Sequence, residues 1–305
     1  MPLLDRTHIL PNHPSTQVHA DAVAEYLSEE VATGRMDGLF TQEEVESILR
    51  GPFQSLPLIV SVQPQAPGEP NKIRICRHLS KSSRTIASVN SLIKETKFPT
   101  RFDSVVKVSE AVAIAPEGTQ SSIADISKYH RTCPGCPDHK CWLVVQGPNG
   151  LLYIDHNHPF GASCASSNAG MIGNAVVDIW LAEGIVAIFK IEDNFNIIRV
   201  PVPDSPFSGD NGFIYAYDHT EALRRIAPLG VPWHPEKGTT EFVSEFTFIG
   251  LRWSYITRSV SLPENKRLKY IACVHSFIFQ FAKSMLSART PRGGSEVSDW
   301  IWNSE

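Results

Sequence analysis

Two aspartates raise the first chemical question in this sequence. Asp125 closes the apolar run "SSIADIS", and Asp193 lies between the apolar halves of "AIFKIEDNFNIIRV", Ala187 to Val200. β-Branched and aromatic residues on both sides of Glu192, Asp193 and Asn194 predict two short strands with the acids at a hairpin tip. If these strands share a sheet with the one ending at Asp125, the two aspartates converge. Clustered carboxylates repel, so they are stable mainly with a cation between them. Hard oxygen donors suit Mg²⁺, which takes one or two carboxylates plus substrate phosphates. Two such ions about 4 Å apart can clamp the attacking and leaving oxygens of phosphoryl transfer. The plainer alternative is a solvated turn, because single acids are common turn formers.

A second constellation competes. "HRTCPGCPDHKC" holds His130, Cys133, Cys136, His139 and Cys141, and "IDHNHP" adds Asp155, His156 and His158. Cys-x-x-Cys with nearby histidines is a zinc spacing, and tetrahedral zinc needs four converging ligands. Cys133, Cys136, His139 and Cys141 are therefore the zinc candidates. The favoured reading is that they are loop residues whose thiols pack as small apolar groups. Thioredoxin-like redox chemistry is weaker still, since no βαβ pattern surrounds Cys133. The chain has no Gly-x-Ser-x-Gly elbow and no phosphate loop of the Gly-x-x-x-x-Gly-Lys type. Its tryptophans are scattered, which suits a core better than a stacking platform for single strands. Lys107, Arg224, Arg225, Lys237, Lys266, Arg267 and Lys269 could line a phosphate groove, although each alone reads as a solvated surface charge.

The elements that must position these residues belong to a chain of 305 residues with 42% hydrophobic and 20% charged residues, enough for a packed core. The net charge of −4 argues mildly against a nucleic-acid binder and leaves room for a local basic groove. No basic segment followed by an apolar run opens the sequence, and no run of about 18 apolar residues occurs, so the expectation is an intracellular protein, cytoplasmic or nuclear, without a membrane span. The six cysteines then read as reduced thiols or metal ligands. Helices are predicted over Asp21–Gly34, from a capping box at Thr41 and Glu44, over Ala165–Gly184, and from a capping box at Ser261 and Glu264. Strands are predicted over Lys72–Ser80 and Ser121–Ser127, with a hairpin turning at Pro148–Gly150 and one or two strands in "EFTFIGLRWSYITRSVSL". Such mixing without strict βαβ alternation predicts an α+β fold, an antiparallel sheet with helices on one face.

Taken together, these segments resemble the reverse transcriptase domain of retroelements, in particular the tyrosine-recombinase (DIRS-like) retrotransposons common in fungi. "ADISKYHRT" matches the family's first palm aspartate at Asp125, and "KIEDN" matches its Tyr-x-Asp-Asp hairpin. "HPFGASCASSNAGMIGNAVVDIW" is similar to the Pro-Phe-Gly segment and following helix, which places Phe160 and Gly161 near template and nucleotide. "GVPWHPEKG" resembles the later lysine segment, here Lys237, and "FTFIGLRW" the primer grip. "KIRICRHLSKSSRTIASVNSLI" is similar to the fingers segment, whose triphosphate-facing positions are Lys72 and Arg74. The resemblance runs from about Tyr26 to Phe281; its strength lies in the order and spacing of several motifs, each weak alone.

It implies a right-hand polymerase unit: N-terminal helices and fingers over 1–100, palm over 101–258, the start of a thumb over 259–286, and a disordered tail over 287–305. It also implies RNA-directed DNA synthesis on a template–primer with deoxynucleoside triphosphates, and Mg²⁺ held by Asp125 and Asp193. The departures point to a truncated or degenerate copy with weak or no activity. Ile191 replaces the motif's tyrosine, and Asn194 its second aspartate. His130 stands where the steric-gate aromatic is expected. Glu192 is a conceivable substitute ligand, but neighbours on a strand point to opposite faces. The competing expectation is a non-catalytic nucleic-acid-binding remnant or domesticated protein, with a zinc site as a further option.

Overall fold

Strands and helices mix irregularly along the chain, and the computed structural model describes residues 1–63, 65, 70–203 and 212–287. The first part forms α1 (Ser15–Val18), α2 (Ala20–Ala32), β1 (Met36–Phe40), α3 (Gln42–Leu49), β2 (Ser55–Leu56), β3 (Leu58–Gln63) and β4 (Lys72–Arg77). Then come α4 (Val105–Ile114), β5 (Gln120–Asp125), β6 (Val144–Gln146), β7 (Leu152–Asp155) and α5 (Ala165–Ala182). The remainder is β8 (Ala187–Ile191), β9 (Asn194–Arg199), α6 (His219–Arg224), β10 (Glu245–Phe248), β11 (Leu251–Ser254), β12 (Ser259–Ser261) and α7 (Glu264–Ser287).

Local chemistry sets several boundaries. Thr41 Oγ1 accepts from Glu44 N while Thr41 N donates to the Glu44 carboxylate at 2.8 Å, so the expected capping box starts α3. Gly34 follows α2 at φ +69°, a left-handed stop that costs glycine little. The second predicted box does not form. Ser261 closes strand β12, and Glu264 pairs with Arg267 at 2.6 Å. The region from Glu245 to Ser261 yields three strands, β10 to β12, rather than one or two.

Among the described residues four sheets result, and every strand pair is antiparallel except β2 with β6. One sheet runs β1-β7-β6-β2, β3 and β4 form a ribbon, β10 to β12 form a meander, and β5-β9-β8 carries the acids. The architecture is mixed α and β, as the sequence predicts. The first sheet and the ribbon close on a core that includes Val23, Leu27, Leu56, Leu58, Trp142 and Tyr153.

The acid-bearing sheet is covered on both faces. Alternation sends Ala124, Phe195, Ile197 and Ile188 toward α5, where they meet Val176, Val177 and Trp180. Trp180 is fully buried, stacks on Trp233 at 5.7 Å, meets Phe195 edge-on, and donates its indole N–H to Ala222 O at 2.6 Å. On the opposite face Ile123 and Phe189 pack under Phe246, Phe248 and Trp253, with Val108 and Val112 of α4. That cover ends short of Asp125, where the face opens into a cleft. Among the described residues no helix is long and apolar enough to cross a membrane. The tail expected to be disordered lies outside the described residues from 288 onward.

Candidate active site

The site grows from strand register. Asp125 ends β5 directly opposite Asn194, the first residue of β9, and Asn194 also pairs with Ile191 of β8. The β8–β9 turn is therefore two residues, Glu192 and Asp193, with Glu192 left-handed at φ 49°. Ile126 N donates to Asp193 O at 2.8 Å, which ties the turn to the chain just beyond Asp125. Asp125 is 6% exposed, and its Oδ2 accepts from Asn194 Nδ2 at 3.4 Å. Burial and then the Asp125 charge push the Asp193 carboxyl above the ordinary aspartate range.

Glu192 turns elsewhere. Its Oε1 accepts from Ser166 Oγ at 2.6 Å, and its Oε2 lies 4.0 Å from His130 Nε2. Glu192 and Asp193 lie in the turn rather than on a strand, so the left-handed turn geometry, not strand alternation, sets this direction. The His130 ring lies 5.2 Å from that of Phe160, so His130, Phe160 and Glu192 form one wall beside the acid turn. Asn90 braces the Phe160 loop: its Nδ2 donates to Gly161 O at 3.0 Å and its Oδ1 accepts from Ser163 N. Gly161 has φ +99°, and a Cβ there would crowd the Arg77 carbonyl at 3.3 Å.

Lys237 reaches the acids from the segment after α6, with Nζ 3.2 Å from Asp125 Oδ1. Both line a cleft of about 580 Å³ with Asn194, Thr239, Glu245 and Arg252. Lys72 and Arg74 sit elsewhere, two apart on β4 and thus on one face of the ribbon, both exposed.

The zinc candidates disperse. Cys133 is buried, Cys136 and His139 are exposed, and Cys141 is half-buried with its thiol 3.8 Å from Asp138 O. The neighbouring acid and histidines find separate partners: Asp155 joins two arginines, His156 Nε2 is 2.8 Å from Asp37, and His158 Nε2 contacts Cys164 Sγ at 3.6 Å. Among the described residues no group of three or more His, Cys, Asp or Glu is placed to hold a metal ion. Asp125, Asp193 and Asn194 supply a different donor set, two carboxylates and one amide oxygen. Asn194 Oδ1 is buried and has no hydrogen-bond partner among the described residues. Hard oxygens with an orphaned acceptor fit Mg²⁺.

Sequence reasoning missed a buried ion network. Arg131 bridges Glu30 at 2.6 Å and Asp155 at 2.8 Å, Arg35 meets Glu30 at 2.8 Å, and Arg77 Nη2 lies 2.7 Å from Asp155. The Arg77 contact is ionic by distance but off the hydrogen-bonding direction, and its guanidinium also faces the Tyr26 ring at 5.7 Å. Lys190 on β8 was missed too: it is 2% exposed, 5.5 Å from the Phe102 ring centroid, and burial pushes its pKa down. Apart from Glu30 and Arg35, five residues apart, the partners are remote in sequence, so no local pattern marks either feature.

No protein-family model and no curated protein matches the sequence. Solved structures do. The foamy viral protease-reverse transcriptase bound to an RNA/DNA hybrid aligns at 12% identity with TM-score 0.57, covering 87% of this chain and 29% of its own. The same protein with double-stranded DNA aligns at 13% identity with TM-score 0.53, covering 95% of this chain and 48% of its own. The foamy viral protease-reverse transcriptase dRH, also with double-stranded DNA, aligns at 14% identity with TM-score 0.52, covering 95% of this chain and 39% of its own. The chain thus has a reverse transcriptase-like fold and spans less than half the length of the chains it matches.

Proposed function

We propose that this chain is the reverse transcriptase-like unit of a retroelement, an RNA-directed DNA polymerase with weak polymerisation, related to the fungal DIRS-like elements its motifs resemble. One observation carries the reading: in a reverse transcriptase-like fold, Asp125 faces Asn194 across the β5–β9 ladder, with Asp193 in the adjoining turn beside an open cleft. Residues 1–100 then act as N-terminal helices and fingers, 101–258 as palm, and 259–286 as the start of a thumb. The solved neighbours hold an RNA/DNA hybrid or double-stranded DNA, which supports a template–primer as the partner here.

Asp125 and Asp193 would hold Mg²⁺, which when bound offsets phosphate charge and lowers the pKa of an attacking hydroxyl. The chain's own residues do the positioning. The β5–β9 ladder fixes Asp125, and the two-residue turn fixes Asp193. His130, Phe160 and Gly161 border the nucleotide's sugar and base, while Lys72 and Arg74, exposed on the ribbon outside the cleft, occupy the positions that face the triphosphate in the family the motifs resemble. Lys237 supplies a positive charge at the cleft. Asn194 offers a neutral oxygen where the family has a carboxylate. At about 4 Å and an effective dielectric near 20, a missing charge is worth roughly 4 kcal/mol, about a thousandfold in rate.

Asn194 also favours a second reading, a nucleic-acid-binding protein without catalysis. Primer extension on RNA and DNA templates, with Mg²⁺ and with Mn²⁺, separates the two. The first reading expects slow, divalent-dependent extension and template–primer binding that weakens as salt rises. Binding without extension under either ion would establish the second, and absence of binding at low salt would sink both.

A further inference from the structure

Each carboxylate oxygen of Asp125 already faces an N–H donor. Oδ1 lies 3.2 Å from Lys237 Nζ, and Oδ2 accepts from Asn194 Nδ2 at 3.4 Å. The lysine is held there by its backbone. His234 N donates to Asp125 O at 2.8 Å, Thr239 N donates to Ile123 O at 2.9 Å, and Thr239 Oγ1 accepts from Ile123 N at 2.9 Å. Between lysine and threonine, Gly238 has φ +92°, and any Cβ there would collide with the Ile123 carbonyl. The loop is thus laced to β5 on both sides of Lys237. The cleft's other cation is engaged elsewhere: Arg252 Nη2 donates to Glu245 at 2.7 Å.

We propose that Lys237 is a built-in counter-ion for Asp125, which a divalent cation must displace, so that Lys237 sets the metal affinity of the site. This rests on the metal-site reading above. Asp125, Asp193 and Lys237 sum to a charge of −1, where a third carboxylate at position 194 would make it −2. With Asn194 neutral, the ammonium cancels half of the available negative charge. An arriving ion meets a carboxylate with one donor already on each oxygen, and the released Nζ moves to solvent, since the Lys237 side chain is 54% exposed. Lys237 is a positioning residue here, acting through Asp125. The same exposure means that its replacement leaves the fold intact.

The test is Mn²⁺ binding to the full chain, read from the electron paramagnetic resonance of free ion. Lys237→Gln and Lys237→Met are expected to lower Kd about tenfold or more, while Lys237→Arg stays within about twofold of the parent. Asp125→Asn is expected to abolish the binding. Equal Kd in the parent and both neutral variants, with binding still lost in Asp125→Asn, overturns the counter-ion and leaves the metal-site reading standing. Binding indifferent to Asp125→Asn, or absent from every variant, overturns both.

Discussion

The chain contains two clusters of buried charge that are built in opposite ways. In the first, Glu30 and Asp155 are at most 1% exposed, and three arginines, Arg35, Arg77 and Arg131, surround them. Arg131 also donates to Asn157 O at 3.0 Å, and Asn157 Nδ2 returns a bond to Arg131 O. In the second, Asp125 and Asp193 repel, Asn194 Oδ1 has no partner among the described residues, and one lysine reaches in from an exposed loop. The first cluster pairs its charges inside the protein, with only Arg77 Nε and Nη2 lacking a hydrogen bond, and joins α2 to β4, β7 and the turn after β5. The second keeps a buried acceptor without a partner among the described residues and leans on a half-exposed lysine. Buried charge serves architecture where its partners are internal and function where they are not.

The largest expected effect breaks the first cluster. Asp155→Ala leaves the Arg77 guanidinium without a carboxylate and Arg131 with Glu30 alone, and breaking a buried pair from one side costs roughly 3–5 kcal/mol. Denaturant unfolding should show that loss; a change under about 1 kcal/mol would erase the distinction between the clusters. Next comes Gly238→Ala, which forces a side chain into a strained conformation against Ile123 O and should cost roughly 1–3 kcal/mol, seen as a lower unfolding midpoint. An unchanged midpoint would mean that the Lys237 loop is not laced to β5.

A smaller effect comes from pH. Burial lowers the pKa of both His158 and His219. His158 O accepts from Arg131 in the first cluster, and His219 Nδ1 contacts Ser122 Oγ of β5 at 2.5 Å in the second region. Depressed folded values mean that their stabilising contribution is complete above about pH 6.5 and is lost as pH falls through the folded pKa. The unfolding midpoint should fall from pH 7 to pH 5, and the double variant His158→Asn/His219→Asn should flatten that fall. Comparing the single variants apportions it between the regions. Smallest of all is Asp125→Asn. It removes repulsion with Asp193 and forfeits only a half-exposed lysine contact, so stability should stay within about 1 kcal/mol. A cost as large as that of Asp155→Ala would make the acid pair architectural.

Only local features could be read from the sequence. The β8–β9 hairpin, the strand ending at Asp125 and the Thr41 cap each rest on contiguous patterns, so their residues were legible. α4 was not, since "VVKVSEAVAI" is rich in β-branched residues that favour strands, although Ser104 caps it by accepting from Lys107 N. β1, "MDGLF", has no clean alternation and is held by pairing with β7. Ser261 misled because a serine three before a glutamate fits a cap as well as it fits the end of a strand. The ion network joins residues 30, 35, 77, 131 and 155, and apart from Glu30 with Arg35 its partners meet only once the sheets are assembled. The same holds for Lys237: the sequence marks it as a candidate, and the loop's bonds to β5 place it against Asp125.

The central claim is that this site falls one carboxylate short of full strength. Its most direct test is primer extension by Asn194→Asp beside the parent chain, under Mg²⁺ and with template–primer affinity measured in parallel. Restoring the charge opposite Asp125 should raise the extension rate by about tenfold to a thousandfold and leave affinity for the nucleic acid little changed. Robust extension by the parent, or no gain in Asn194→Asp while the fold and nucleic-acid binding are intact, would contradict the account.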